Sequence, residues 1–475
     1  NRFDELSVYG PIAGAPNIFN VVNLDKSQKK TPKTGWHEQT QSFFYSLELG
    51  WKSQLFVTTT GRNDWASQLA NSPQKSFFYP SVGVSWLPSS TFNFPEKFNY
   101  LKIRASWASV ANPFPRELTI ATHPYDDTIS GWDDKSNYPI GQLYPERTKT
   151  WELGFDARFL NGFTLTASWY RADTYNQTFN PNLSASSGYS DIYIQTGHVR
   201  NTGVEASLGY NHQWKNWNWN SQFTFSWNKN KIIELCKEWY NPITEETISM
   251  NRLQISKLGR AKFILKEGGS MGDLYSTTDL RRDDKGNIEI DEGGNVVVED
   301  NLPDMKLGSV FPDYNLAWRN SVSWKNLNLG FLVTARIGGI VNSLTQANMD
   351  LFGVSEATAA ARDAGGALVN GRSLVNPETW YTAIASQGGI PQYYTYSATN
   401  VRLQELSLGY TIPRKWLHNV CSITVSFVGR NLWMMYCKAP FDPEAVASTN
   451  NFYQGMDYFM MPSTRNLGFN INIKF

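Results

Sequence analysis

No run of eighteen apolar residues occurs anywhere in this 475-residue chain, so a membrane-spanning helix is excluded. Spanning strands are not. Charge of one sign is also missing. The 43 Lys and Arg balance 42 Asp and Glu to a net +1, leaving no basic field for nucleic acid and no acidic field for cations. Cysteine is scarce: Cys236, Cys421 and Cys437 have no metal-ligand spacing. They read as unpaired thiols, with a Cys236–Cys437 disulfide as the alternative, since both fall near strand ends on one predicted side. The five histidines, His37, His123, His198, His212 and His418, are scattered without metal spacing or a nucleophile nearby. Neither an enzyme nor a cofactor or metal is therefore expected. Asn1 is preceded by no signal peptide or initiator Met, which reads as a processed or partial chain.

What the chain has is aromatic side chains, 14% of residues with 18 Trp, and alternation with period two. Trp and Tyr in such numbers suit the interfacial girdles of membrane barrels, and equally carbohydrate-binding proteins. The alternation decides more. Leu467, Phe469, Ile471, Ile473 and Phe475 alternate with Gly468, Asn470, Asn472 and Lys474. Successive strand residues face opposite sides, so one face here is apolar and the other polar. Trp151 to Phe159 repeats the pattern, as do Phe163 to Tyr170 after an Asn161-Gly162 turn signal, Trp217 to Asn228 and Leu327 to Ile337. The phase slips around Arg402 to Glu405, as a bulge or a strand end would make it.

About thirteen strands are expected, near 40–51, 54–61, 77–87, 99–110, 147–160, 162–173, 200–214, 216–229, 314–324, 327–340, 400–412, 420–433 and 463–475. Short connections (Lys52-Ser53, 88–98, Asn161-Gly162, Lys215-Asn216, Lys325-Asn326, 413–419) alternate with long ones (62–76, 111–146, 174–199, 230–313, 341–399, 434–462). Short turns on one side and long loops on the other is the layout of an outer-membrane barrel. With Phe475 at the periplasmic side, every long loop is extracellular, and residues 1–39 read as the remnant of another such loop. Thirteen strands cannot close an up-and-down barrel, and an open edge cannot face lipid. Either the count is off by one or more, or the first half of the barrel lies outside this sequence. The start within a loop favours the second.

The strand entries carry motifs. They are Gly61-Arg62-x-Asp64, Phe78-Tyr79-Pro80-Ser81-Val82, Leu101 to Trp107, Pro145-Glu146-Arg147-Thr148, Glu152-x-Gly154 and Asn201-x-Gly203-Val204-Glu205. Pro312-Asp313, Arg336-x-Gly338-Gly339, Gly353-Val354-Ser355, Arg362 to Gly366, Arg402-Leu403-x-Glu405, Asn431-Leu432 and Asp442-Pro443-Glu444 continue the series. In this order, over 40–475, they resemble the C-terminal half of SusC/RagA-like TonB-dependent outer-membrane transporters. The resemblance implies an all-β fold, an antiparallel transmembrane β-barrel of which this chain is the C-terminal thirteen or so strands of a plugged, 22-stranded whole. It implies import of oligosaccharides or oligopeptides through the outer membrane of a Gram-negative bacterium. The implied partners are a SusD-like lipoprotein lid, a plug and N-terminal barrel half, TonB, and outer-membrane lipid. The final strand, with Leu467, Phe469, Ile471, Ile473 and Phe475, resembles the signal read by the barrel-assembly machinery. The competing readings are a passive porin and a secreted all-β glycan-binding protein or hydrolase.

Within this frame Arg104, Glu152, Asp156, Arg158, Glu205 and Arg336 are expected to face the lumen, in networks with a plug and with one another. The loop aromatics Trp132, Tyr138, Trp380, Tyr381, Tyr393, Tyr394 and Tyr396 are candidates for stacking on substrate, or for packing the loops together. Asp283-Asp284-x-Gly286 and Asp291-Glu292-Gly293-Gly294, in the 281–300 stretch, offer oxygen ligands for Ca²⁺ without matching an EF-hand, and read as a hairpin with acidic turns. Ser355 is placed to cap a short helix through Ala357 to Arg362, with Glu356 in its first turn.

Overall fold

Thirteen strands form one antiparallel sheet in which neighbours in sequence are neighbours in space. In the computed structural model the described residues are 1–475 other than 32, 71, 117, 119–124, 127–130, 133–142, 181–192, 196, 242–244 and 449–452. The strands are β1 (Thr40–Trp51), β2 (Leu55–Ala66), β3 (Phe77–Trp86), β4 (Phe98–Asn112), β5 (Glu146–Phe159), β6 (Phe163–Tyr175) and β7 (His198–Trp214). They continue with β8 (Trp217–Glu234), β9 (Tyr314–Trp324), β10 (Leu327–Ile337), β11 (Asn400–Ile412), β12 (Ser422–Cys437) and β13 (Asn466–Lys474). Among the described residues, β1 and β13 each pair within this sheet on one side only.

The short connections are tight because their residues accept left-handed backbone. Lys52 and Ser53 both take positive φ between β1 and β2. Between β5 and β6 the left-handed pair is Leu160 and Asn161, so the turn expected at Asn161-Gly162 begins one residue earlier. The slip expected at Arg402 to Glu405 is a pair of register shifts, where β11 meets β12 at Val401/Arg402 and at Leu403/Glu405. One residue without a partner restores the alternation beyond it.

Residues directly opposite one another in antiparallel strands share a face. The apolar face can therefore be traced across the sheet: Ile103, Phe155, Ala167, Ala206, Phe225, Leu316, Ala335 and Val401 oppose one another in turn from β4 to β11. Two aromatic girdles border it. Trp107, Trp151, Trp169, Trp227 and Tyr314 lie toward the long loops, and Trp51, Trp86, Trp214, Trp217, Trp324 and Tyr410 toward the short turns. Along β8 the girdles stand at Trp227 and Trp217. Ten residues of tilted strand span roughly 25 Å, the height of a barrel's apolar band.

The long connections fold into a body of their own at the other end. After β8 come a hairpin (Cys236–Asn241 with Glu246–Met250) and a four-stranded sheet of Arg252–Leu258, Ala261–Lys266, Asp273–Ser276 and Met305–Ser309. Between β10 and β11 lie helices α1 (Leu344–Leu351), α2 (Glu356–Asp363) and α3 (Pro377–Ala385). Ile340–Ser343 joins Thr395–Ser397 and, in parallel, Met456–Asp457, tying two long loops together. Phe263, Leu274, Val310 and Met456 form one of its buried clusters. The 1–39 segment pairs Arg2–Leu6 with Lys33–His37 and touches the long-loop side, where the Arg116 guanidinium lies 4.3 Å from the Trp36 ring centroid.

None of the three cysteines, all among the described residues, is in a disulfide. Cys236 is buried in one loop cluster and Cys437 packs against another, so the considered disulfide does not form.

Candidate functional site

The polar face carries one row without interruption. Ser85, Arg104, Gly154, Ser168, Glu205, Ser226, Asn315, Arg336 and Asn400 oppose one another in turn from β3 to β11. The next row holds Lys102, Asp156, Thr166, Ser207, Thr224 and Thr334. Arg104, Glu205, Ser226 and Arg336 line a cleft of about 570 Å³ on this face, together with Glu444 from the last long loop.

Arg104, Glu152, Asp156, Arg158, Glu205 and Arg336 share this face of the sheet. Arg104 Nη1 lies 2.9 Å from Asp156 Oδ2, and its Nε 3.6 Å from Glu152 Oε1. The guanidinium lies flat across Gly154, where a Cβ would come within 2.8 Å of Cζ. The Glu152-x-Gly154 motif is thus the bed on which Arg104 rests. Arg158 stacks over Tyr100 at 4.9 Å. Arg336 Nη2 donates to the Val310 carbonyl at 2.8 Å, while its buried Nε has no hydrogen-bond partner.

Motifs far apart in sequence meet at the mouth. Gly338, with φ +80°, leaves the space that the Asp313 carboxylate fills, and Asp313 N–H donates to the Ile337 carbonyl. Arg402 forks onto Asp442 with bonds of 2.7 and 3.1 Å and reaches Glu444 at 3.1 Å. Both members of the Arg402–Asp442 pair are more than nine-tenths buried. Burial alone would raise the Asp442 pKa. The Arg402 guanidinium, the Glu444 backbone N–H and Ser463 outweigh it and hold the carboxyl below the usual range. Forty residues separate Arg402 from Asp442, and neither motif by itself announces the other.

The loop aromatics divide. Tyr138 lies outside the described residues. Trp132 falls in a two-residue hairpin strand, Gly131–Trp132, and its side chain lies outside what is described. Tyr394, a candidate for stacking on substrate or for packing the loops together, is 1% exposed. Its hydroxyl donates to Asp350 at 3.1 Å, and burial and that carboxylate push its pKa far up. It is a core residue of the loop body, because Ile384, Ile390 and Ala347 enclose it. Trp380 and Tyr393 pack edge to face at 5.9 Å on the same cluster, and Tyr396 does so against Phe441 at 5.6 Å. Tyr396 is pushed up to about 12 by burial and by the Asp350 charge. Tyr381 lines an opening, a pocket of about 540 Å³ with Asp350, Phe352, Arg362 and Glu378.

The acidic stretch folds as a hairpin. Asp283 accepts backbone N–H bonds from Lys285 and Asn287, and Asp291 accepts one from Asn295. The Asp283 and Asp291 carboxylates bond within their own turns, and no group of metal ligands occurs among the described residues. Ser355 caps α2 by accepting the Thr358 N–H, with Glu356 in the first turn. Of the histidines, His198 bonds Asp173 at 2.5 Å, and His212 lies in the outer aromatic row against Tyr210 and Trp214; His123 lies outside the described residues.

A sheet apolar on one face and polar on the other, girdled twice by aromatics and topped on one side by folded loops, is the wall of an outer-membrane β-barrel. The chain belongs to the TonB dependent receptor-like, beta-barrel family, whose model matches residues 2–432. It is similar to TonB-dependent receptor P3 of Formosa agariphila, 26% identical over 98% of this chain and 49% of that protein. To TonB-dependent receptor SusC of Bacteroides thetaiotaomicron it is 22% identical over 79% of this chain and 38% of that protein. The RagAB peptide importer in its open-open state shares the fold with a TM-score of 0.74 at 18% identity, over 97% of this chain and 50% of that chain. The chain spans about half the length of the curated relatives it matches.

Proposed function

We propose that this chain is the C-terminal barrel wall and outer mouth of an importer, driven through TonB, that takes up oligosaccharides or oligopeptides across the outer membrane with a SusD-like surface lipoprotein. The observation that carries the reading is the polar row from Ser85 to Asn400 beneath a folded loop body. A water-lined conduit needs such a face, and a plug needs its charges and hydroxyls as partners. The loop body leaves Phe352, Val354, Leu368 and Leu374 exposed at 74, 68, 65 and 62%, apolar surface of the kind a lid covers. RagAB, which shares the fold, is a peptide importer. No catalytic step is proposed.

The test is uptake by cells lacking the full-length gene and by complemented cells, supplied with fluorescent oligopeptides or oligosaccharides, with and without a protonophore. Complementation is expected to restore uptake of one class, and the protonophore to abolish it. Uptake that survives the protonophore would instead make the protein a passive pore.

A further inference from the structure

We infer that the lipid-facing side of the wall contains a binding groove for one glycerophospholipid, between β6 and β9 on the short-turn half. The inference rests on the membrane reading above and adds a site to it. Phe163, Leu208, Tyr210, Trp219, Phe223 and Trp318 enclose a groove of about 430 Å³. Its floor is Ser221, a small residue between Trp219 and Phe223 on the apolar face of β8.

Two of the walls, Trp219 and Trp318, are held back from this space by hydrogen bonds. Indole nitrogens only donate, and hydrocarbon offers them no water. Trp318 Nε1 is therefore held by Ser221 Oγ at 3.1 Å, and Trp219 Nε1 by Asn320 Oδ1 at 3.0 Å. Asn320 is an amide on the apolar face, 4% exposed, with its Nδ2 left without a partner. Such a group costs stability in a membrane wall. Its structural effect is to fix Trp219 at the side of the groove. Tyr210 closes that side, its ring edge-on to Trp219 at 5.1 Å and tilted against Phe163 at 4.6 Å.

The occupant follows from position and charge. Below the groove lie the turns carrying Lys215 and Lys325, joined by the Lys325 N–H donating to the Asn216 carbonyl at 2.8 Å. The short connections as a set hold Lys52, Lys97, Lys215, Lys325, Arg414 and Lys415 against the single acid Glu96. This cationic edge matches a phosphate layer. From Trp217 to Ser221 the strand rises roughly 13 Å, or about 10 Å along the membrane normal. The interfacial layer is roughly 6 Å deep per leaflet, so a lipid whose phosphate meets the lysines has reached its acyl chains at the level of the groove. An acyl chain supplies the dispersion contacts that a void beside Trp219 and Trp318 would lack.

The experiment is native mass spectrometry of the full-length transporter, extracted in mild detergent and titrated with dioleoylphosphatidylglycerol or with dioleoylglycerol. One phosphatidylglycerol is expected per barrel, with dioleoylglycerol retained far less. Ser221→Trp fills the floor and is expected to abolish this adduct. Lys215→Glu with Lys325→Glu, in water-exposed turns, is expected to weaken it roughly tenfold. Heat-dependent mobility on SDS gels identifies variants that remain folded barrels. Equal binding by folded wild type and Ser221→Trp, or equal retention of the two lipids, overturns the groove. Release of the protein from membranes by alkaline carbonate overturns the membrane reading instead, whereas a carbonate-resistant protein without a lipid adduct overturns the groove alone.

Discussion

Arg402 shows how much of the mouth depends on single side chains. Its guanidinium and the Asp442 carboxylate are buried together, and Glu444 shares the charge at the edge of the polar cleft. Removing one partner of a buried pair strands the other, so Arg402→Ala should cost about 3–5 kcal/mol locally. We expect the 434–462 loop of this variant to be cut by protease at neutral pH while the wall stays intact on gels; wild-type resistance would show that the pair does not hold the loop. The pH dependence has a definite sign. The Asp442 pKa is lower folded than unfolded, so its stabilisation is complete above the unfolded value and fades as pH falls through the folded one. In the wild type, protease resistance of this loop should hold down to about pH 4 and fail only below the ordinary carboxylate range. The sequence shows both motifs but not that they meet, since the forty residues between them lie on two elements whose approach only the fold decides.

Strands are the scale at which the sequence is most legible. The ranges 40–51 and 314–324 read from alternation are those the structure shows, because a one-residue slip would turn every large side chain to the wrong face. β2 and β8 run longer, to Ala66 and Glu234, since beyond the girdles they continue into the loop body, where no alternation marks them. The four-stranded sheet in 230–313 escaped for the same reason: its strands are short and several are buried on both faces, as in the BBBB pattern of Asp273–Ser276. The sequence left Tyr394 open between stacking on substrate and packing the loops, because an aromatic in a loop looks alike whether it is roofed or open. The facing itself can be tested by depth. Phe155 lies midway between Trp151 and Phe159 on the apolar face. Phe155→Arg should cost roughly 2–4 kcal/mol, Trp151→Arg at the girdle about 0–1, and Thr224→Arg on the polar face little. Unfolding of the full-length protein in lipid vesicles reads these differences, and equal losses at 155 and 224 would refute the assignment.

For the whole molecule, the sheet edges and the loop body have different consequences. Unpaired backbone cannot rest against hydrocarbon, so in the full-length barrel β1 and β13 should each find a second neighbour. Amide exchange should then be as slow in β1 and β13 as in β7 in that protein, and fast at the two edges in this chain alone. Equally fast edges in both would mean that the sheet does not close. The loop body adds a temporal order. Every wall pairing joins successive strands, whereas Ser343 Oγ bonds Asp457 across 114 residues, and Asn342 pairs with Met456 beside it. These contacts need the loop that follows β12 as well as the one between β10 and β11, so they cannot form until both are in place. The mouth is therefore the last part to take shape, reached only after the stretch before β13 has crossed to the far side. A barrel stalled in assembly would then be a pore without its vestibule, and its loops, open to proteases, would identify it for removal.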